Sequence, residues 1–168
     1  MIFKILLFGP EGVSKNTLIE KYCEKIFDPN SKLAIGVEFY AKNVISQGYK
    51  VTLQIWDLLS ENSQLKRLLP SYCLGANAAL LIFDITESVT INKLHERIHF
   101  IRKQAGDLPL LLVGNNLDSG VFHELIEEKE IEILKELNVM SYTVISTKTG
   151  ENVEKMFMNL ADFLVDKY

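Results

Sequence analysis

The first eighteen residues hold the clearest chemical arrangement in the chain. An almost wholly apolar run, Ile2–Phe8, precedes a glycine turn that begins at Gly9, and Lys15 follows. A buried strand, a glycine turn and a lysine that opens a helix can bind phosphate, because backbone N–H groups, the helix N-terminus and the ammonium group attract anions. The usual pattern is G-x-x-x-x-G-K-[S/T], but Ser14 replaces its second glycine and Asn16 its hydroxyl residue. Taken alone, the segment is equally consistent with a helix-capping loop that binds no ligand.

Polar side chains also follow three later predicted strands. They are Asp57 after Tyr49–Trp56, Asn115 and Asp118 after Leu110–Val113, and Ser146, Thr147 and Lys148 after Tyr142–Ile145. Each has an ordinary structural explanation, since Asp57 could cap a helix and Asn115 could stabilise a turn. Parallel strands, however, bring their carboxyl ends to one edge of a sheet, where ligands bind. The four polar strand ends together therefore predict a ligand site.

The elements that position these residues alternate along the chain. Apolar runs predict strands at Ile2–Phe8, Val37–Ile45, Tyr49–Trp56, Ala78–Phe83, Leu110–Val113 and Tyr142–Ile145. Helical periodicity predicts helices at Thr17–Lys25, Leu65–Tyr72, Ile91–Gln104, Glu124–Leu137 and Val153–Val165. The short segment Ser46-Gln47-Gly48 predicts a hairpin between the second and third strands. This alternation predicts an α/β fold with a mostly parallel sheet covered on both faces.

Composition narrows the class of protein. The 168 residues contain no linker or repeat, which predicts a single domain over 1–168. A net charge of -4 provides no basic surface for nucleic acid or acidic membrane. Cys23 and Cys73 lack metal-binding spacing and are expected to be buried thiols of a reduced, cytoplasmic protein. No secretory signal, transmembrane run or C-terminal prenylation cysteine is recognisable, so we expect a soluble chain unless a lipidated tail follows.

The motifs at the strand ends resemble those of the Ras-like small GTPases and, within them, the Rab group. Asn115-x-x-Asp118 resembles the guanine-specifying N-K-x-D motif, and Ser146-Thr147-Lys148 resembles S-A-K. Three further segments are Rab-like. Ile35–Phe39 is similar to switch I, and Leu53–Asp57 is similar to the strand that leads into switch II. Tyr72–Ala76 is similar to the segment that follows switch II. The resemblance covers essentially the whole chain. It implies a six-stranded sheet with one antiparallel strand, about five helices, GTP or GDP as ligand, and Mg²⁺ as cofactor.

The resemblance implies that one half of the site recognises guanine. That half comprises Phe27, Asn115, Asn116, Asp118, Ser146, Thr147 and Lys148. Asp118 would accept hydrogen bonds from guanine N1–H and the exocyclic amine, a donor pair that adenine lacks. Phe27 and the stem of Lys148 would pack against the base or ribose, and Asn115 would join the loops. Asn116 stands where the family has lysine, which removes apolar cover worth roughly 1 kcal/mol.

The phosphate half departs further from the family pattern. Its implied residues are Gly9, Gly12, Val13, Ser14, Lys15, Asn16, Thr17 and, for the γ-phosphate, Ser60. Asn16 offers Mg²⁺ an amide oxygen where the family has a hydroxyl, and Ala34 replaces the switch I threonine. Only Asn16 and Asp57 could then bind the metal, which predicts a weak or dispensable Mg²⁺ site.

The catalytic segment is altered as well. The family sequence T-A-G-Q is replaced by Leu58-Leu59-Ser60-Glu61. Glu61 occupies the position of the glutamine that orients attacking water, and its carboxylate would face the like charge of the γ-phosphate. Very slow or absent GTP hydrolysis is therefore expected.

One surface predicts protein partners. Phe39, Trp56 and Tyr72 resemble the aromatic trio beneath the Rab effector surface, and this interpretation is compatible with local core packing of the same side chains. Two functional hypotheses follow: a guanine-nucleotide switch with weak Mg²⁺ use, or a pseudo-GTPase that acts as a protein-interaction module. A third, a P-loop kinase, leaves the Asn115/Asp118 and Ser146/Lys148 motifs unexplained.

Overall fold

The computed structural model describes residues 1–9, 13–26, 36–58, 63–86, 91–120, 132 and 135–168. Its strands are β1 (Ile2–Phe8), β2 (Glu24–Lys25), β3 (Val37–Ser46), β4 (Tyr49–Leu58), β5 (Ala78–Asp84), β6 (Leu110–Asn115) and β7 (Ser141–Val144). The helices within this part of the chain are α1 (Val13–Tyr22), α2 (Ser63–Cys73), α3 (Ile91–Ala105) and α4 (Val153–Lys167).

All seven described strands form one sheet in the order β2-β3-β4-β1-β5-β6-β7. Strand β3 is antiparallel to both of its neighbours, and the pairs from β4 through β7 are parallel. The predicted α/β fold with one antiparallel strand is thus confirmed. The sheet has seven strands rather than six because the two-residue β2 pairs with Tyr40 and Ala41 on the edge of β3. No alternating apolar run marks Glu24–Lys25, so only the backbone pairing reveals this strand.

Four of the five predicted helices are confirmed in position, though not always in extent. Helix α1 covers Val13–Tyr22 rather than Thr17–Lys25, because the chain leaves the helix to enter β2. Helix α2 continues through Pro70 to Cys73. Of the predicted helix Glu124–Leu137, the described part contains helical residues at 132 and 135–137, and the rest lies outside the described residues.

The sheet buries an apolar cluster on each face, as predicted. One cluster joins β1 and β4 to α1 and α4 and includes Ile5, Leu53, Ile19 and Phe157. The other joins the opposite face to α2 and α3 and consists of side chains such as Leu6, Leu81, Leu112, Leu69 and Ile98. A fully buried aliphatic or aromatic side chain contributes about 1.5–3 kcal/mol. This two-sided core holds the carboxyl ends of the parallel strands in fixed register.

Both cysteines are free thiols; Cys73 is buried, and Cys23 is only partly so. Burial raises the pKa of Cys23 to about 12, which keeps that thiol protonated at neutral pH. Among the described residues, no helix has the length and apolar character needed to cross a membrane.

Candidate functional site

The four polar strand ends lie along one edge of the sheet. The register places Leu7 beside Asp57, Asp84 beside Asn115, and Gly114 beside Val144. The carboxyl ends of β1, β4, β6 and β7 therefore lie at the same edge of the sheet. This arrangement is the one that binds ligands in other open parallel sheets.

Gly9 allows the first loop to pass close to β5. A Cβ atom at this position would lie 2.7 Å from Cγ2 and 2.9 Å from the carbonyl oxygen of Ile82. A larger residue at this position would therefore collide with Ile82 on β5. Helix α1 starts at Val13, so its N-terminus follows within a few residues. Gly12 lies outside the described residues, and of Val13 and Ser14 only the backbone is described.

Lys15 and Asp57 form a buried ion pair that the sequence did not predict. The Lys15 ammonium group lies 2.9 Å from Oδ1 of Asp57, with the two side chains only 3% and 0% exposed. It also donates a hydrogen bond of 2.9 Å to the carbonyl oxygen of Leu58. Burial raises the pKa of the Asp57 carboxyl, and the Lys15 ammonium opposes this rise without cancelling it. The lysine of α1 and the carboxylate of β4 thus neutralise each other.

The described residues suit Mg²⁺ poorly. In favour of a metal, Oδ2 of Asp57 is buried and has no hydrogen-bond partner in the described part of the chain. Against it, the adjacent Lys15 ammonium repels a cation, and the side chain of Asn16 is exposed. No group of three or more His, Cys, Asp or Glu side chains in the described ranges could hold a metal. Ala34 lies outside those ranges.

Asn115 joins the loop after β6 to the loop after β7. Its Nδ2 donates to Oγ1 of Thr147 and its Oδ1 accepts from the Thr147 backbone N–H, both at 3.0 Å. Both residues are buried, so neither hydrogen bond competes with bulk water. The amide therefore fixes Thr147 from the β6 side.

Ser146 holds the carboxylate of Asp118. Its hydroxyl donates to Oδ1 of Asp118 at 2.6 Å and accepts from the backbone N–H of Thr149 at 3.1 Å. The hydroxyl of Ser146 lowers the pKa of Asp118, which keeps this exposed carboxyl ionised near neutral pH. The result is an oriented negative acceptor above the carboxyl end of β6. Lys148, the last residue of this motif, is exposed.

Asn116 has a structural role that the sequence analysis missed. Its backbone lies in the left-handed region, with φ of 75°, a conformation that asparagine tolerates better than most residues. Burial alone would raise the pKa of the Asp84 carboxyl. Hydrogen bonds from Thr86 and Asn116 together have the larger effect, so the pKa of Asp84 is lower than its ordinary value. Asn116 thus suits the turn between β6 and the short 3₁₀ helix Leu117–Ser119. The Asn115-Asn116 pair after a buried strand was the available signal.

Several predicted site residues cannot be placed. Phe27, Ser60 and Glu61 lie outside the described residues. Thr17 is half-buried in the first half of α1. The described part of the site thus consists of Gly9, the start of α1 from Val13 to Thr17, Asp57, and the described residues after β6 and β7.

Comparison with known proteins assigns the family. A model of the Ras family matches residues 4–166. The chain belongs to the Ras family. It is 31% identical over 169 residues to the Ras-related protein SEC4 of Candida albicans, with 100% of this chain and 80% of the relative covered. It is also 35% identical over 167 residues to the Ras-related protein Rab-30 of Homo sapiens, with 99% of this chain and 81% of the relative covered.

These relatives make the chain a Rab-like member of the Ras family, as its motifs suggested. Ras-family proteins in general bind GTP or GDP together with Mg²⁺.

The aromatic trio of this Ras-family chain forms a connected cluster. The Phe39 and Trp56 rings meet edge to face with centroids 4.8 Å apart, and the Trp56 and Tyr72 rings are 6.3 Å apart. The Lys4 ammonium lies 3.6 Å from the centroid of Trp56. All three rings are half-buried against the α2–α3 core, so the core-packing and partner-surface interpretations are compatible.

Proposed function

We propose that this chain binds guanine nucleotides, GDP or GTP, and that Asp118 reads the base. The observation that supports this most strongly is the network in which Ser146 orients an ionised Asp118 while Asn115 fixes the neighbouring Thr147. An oriented carboxylate accepts hydrogen bonds from guanine N1–H and the exocyclic amine, and adenine cannot supply that pair.

The phosphates would lie at the N-terminus of α1. Lys15 would neutralise their charge, and Gly9 would begin the turn that surrounds them. The remaining contacts would come from Gly12, Val13, Ser14, Asn16 and Thr17. Because Lys15 is paired with Asp57, a phosphate group has to replace the carboxylate as its partner. This exchange lowers the affinity below that of a site with a free lysine.

Nucleotide binding of this kind should depend little on Mg²⁺, and hydrolysis should be very slow or absent. Asp57 is occupied by Lys15, Ala34 supplies no ligand, and Ser60 and Glu61 replace the residues that hold the γ-phosphate and orient water. Single-turnover hydrolysis of GTP with Mg²⁺, followed by phosphate release, tests this. A rate typical of unassisted Ras-family members contradicts it.

The second candidate function is protein binding without a nucleotide switch. Its support is the aromatic trio, which packs on the core independently of the nucleotide residues. The affinities for GTP and GDP distinguish a nucleotide switch from an interaction module. A ligand shifts a conformational equilibrium only as far as its affinities for the two conformations differ. Equal affinities favour an interaction module at Phe39, Trp56 and Tyr72; a clear preference for GTP favours a switch with effector or regulator proteins as partners.

Extraction of the purified protein provides a direct test of guanine binding. The protein is denatured and its supernatant is separated by ion-exchange chromatography. We expect GDP or GTP in stoichiometric or substoichiometric amount, and none from Asp118→Ala. Adenine nucleotide in the extract would contradict the proposal.

A further inference from the structure

The C-terminal end of α1 contacts the loop after β7 through two side chains. The Lys21 ammonium donates to the carbonyl oxygen of Lys148 at 2.9 Å and to that of Thr147 at 3.3 Å. The Tyr22 hydroxyl donates to the same Thr147 carbonyl at 3.1 Å. Together the two side chains donate three hydrogen bonds to two carbonyl groups of the loop. The helix and the loop are more than a hundred residues apart in sequence.

Thr147 is consequently held from two sides. Its backbone N–H and its hydroxyl contact Asn115 on β6, and its carbonyl accepts from Lys21 and Tyr22 on α1. The peptide units on both sides of Thr147 are therefore hydrogen-bonded, as is its side chain, which leaves this residue little freedom to rotate.

The same contact fixes the end of the loop. Gly150 has φ of +85°, and a Cβ atom there would lie 3.1 Å from Oη of Tyr22. Its N–H donates to the carbonyl of Ser146 at 2.8 Å, which closes the turn. Tyr22 therefore packs closely against Gly150, and the turn that contains Gly150 also carries the Ser146 hydroxyl bonded to Asp118.

We infer that Lys21 and Tyr22 are positioning residues that set the selectivity for guanine. The inference rests on the proposed nucleotide binding. Neither side chain needs to touch the nucleotide. Lys21 and Tyr22 hold the carbonyl groups of Thr147 and Lys148. The same loop contains Ser146, whose hydroxyl orients the Asp118 carboxylate. Since α1 also carries Lys15, one helix links the phosphate half of the site to the base half.

The test compares GDP with IDP, which lacks the exocyclic amine. Titration gives the affinity of each nucleotide for the wild type and for three variants: Lys21→Met, Tyr22→Phe and the double variant. A displaced Asp118 loses its contact to that amine, so Kd for GDP should rise about tenfold in the double variant, given one hydrogen bond per substitution. Kd for IDP should rise less, about threefold, because IDP can lose its N1–H contact to Asp118 but has no amine contact to lose. Lys21→Arg, which retains charged donors, should restore most of the GDP affinity.

Matched controls are Lys103→Met and Tyr49→Phe, which alter exposed residues on α3 and at the β3–β4 hairpin and should leave both affinities unchanged. Unfolding midpoints establish that each variant is folded. An equal loss for GDP and IDP, or no loss, overturns the positioning role, because a merely loosened α1 weakens phosphate contacts that both nucleotides share. Failure of the wild-type chain to bind GDP overturns the proposed function and this inference together.

Discussion

The Lys15 ammonium lies 2.9 Å from Oδ1 of Asp57, and neither side chain is appreciably exposed. The family resemblance assigns the first residue to phosphate and the second to Mg²⁺, yet here each is the other's partner. A buried pair of this type gains Coulomb energy but has lost the hydration of both ions. The proposed phosphate binding and the ion pair would therefore compete for one lysine.

Removing only the lysine should destabilise the fold. Lys15→Met leaves the Asp57 carboxyl buried without its cation, which typically costs about 3 kcal/mol. The free energy of unfolding, measured in urea, should fall by that amount, and Lys15→Met combined with Asp57→Leu should recover much of it. A single variant as stable as the wild type would show that the pair does not exist in solution.

Removing only the carboxylate should strengthen nucleotide binding in EDTA. Asp57→Asn frees Lys15 for the phosphates and removes a negative charge beside them, so the affinity for GDP should rise about threefold to tenfold. With Mg²⁺ the gain should shrink, because the variant also lacks the carboxylate that would hold the metal. The measurement is a titration of a fluorescent GDP analogue under both conditions. Weaker binding in EDTA would contradict the competition between Asp57 and phosphate.

Asp57 should also leave a signature in the pH dependence of stability. Burial raises its pKa in the folded protein above the ordinary carboxyl value of about 4. The folded state therefore binds this proton more tightly than the unfolded chain does. The contribution of Asp57 to stability is greatest below pH 4 and is lost as the pH rises through the raised pKa. The unfolding free energy of the wild type minus that of Asp57→Asn should therefore decrease as the pH rises from about 4 through the raised pKa. A difference that grows with pH would mean that Lys15 lowers the pKa of Asp57 instead.

Lys4 should stabilise the aromatic trio. Its ammonium lies over the Trp56 ring and donates to the carbonyl of Leu74 at 2.8 Å. Lys4→Met should lower the unfolding free energy by about 1 kcal/mol and change the emission of Trp56, the chain's one tryptophan. Lys50→Met, at the exposed start of β4, is the matched control. Identical spectra and stabilities for both variants would contradict the contact.

Much of this fold could be predicted from local sequence. Ala78–Phe83 and Leu110–Val113 are short apolar runs because their strands are buried on both faces, and the structure places strands there. The positions of Asp57, Asn115 and Ser146 at one sheet edge follow from the same alternation. Such features depend on patterns that span only a few residues.

The contacts across the fold could not be predicted in this way. Lys15 meets Asp57 across 42 positions, and Tyr22 meets Thr147 across 125. No local periodicity encodes either contact, because each depends on how two elements pack. Strand β2 was missed for the same reason: its existence depends on the free edge of β3 rather than on its own two residues.

The central claim is that Asp118, oriented by Ser146, selects guanine. The most direct measurement is the affinity of nucleotide-free protein for GDP and ADP, with Asp118→Ala and the exposed control Asp107→Ala. We predict that wild type and Asp107→Ala bind GDP at least a hundredfold more tightly than ADP, and that Asp118→Ala loses this preference. Equal affinity for GDP and ADP, or a preference that survives Asp118→Ala, would contradict the account.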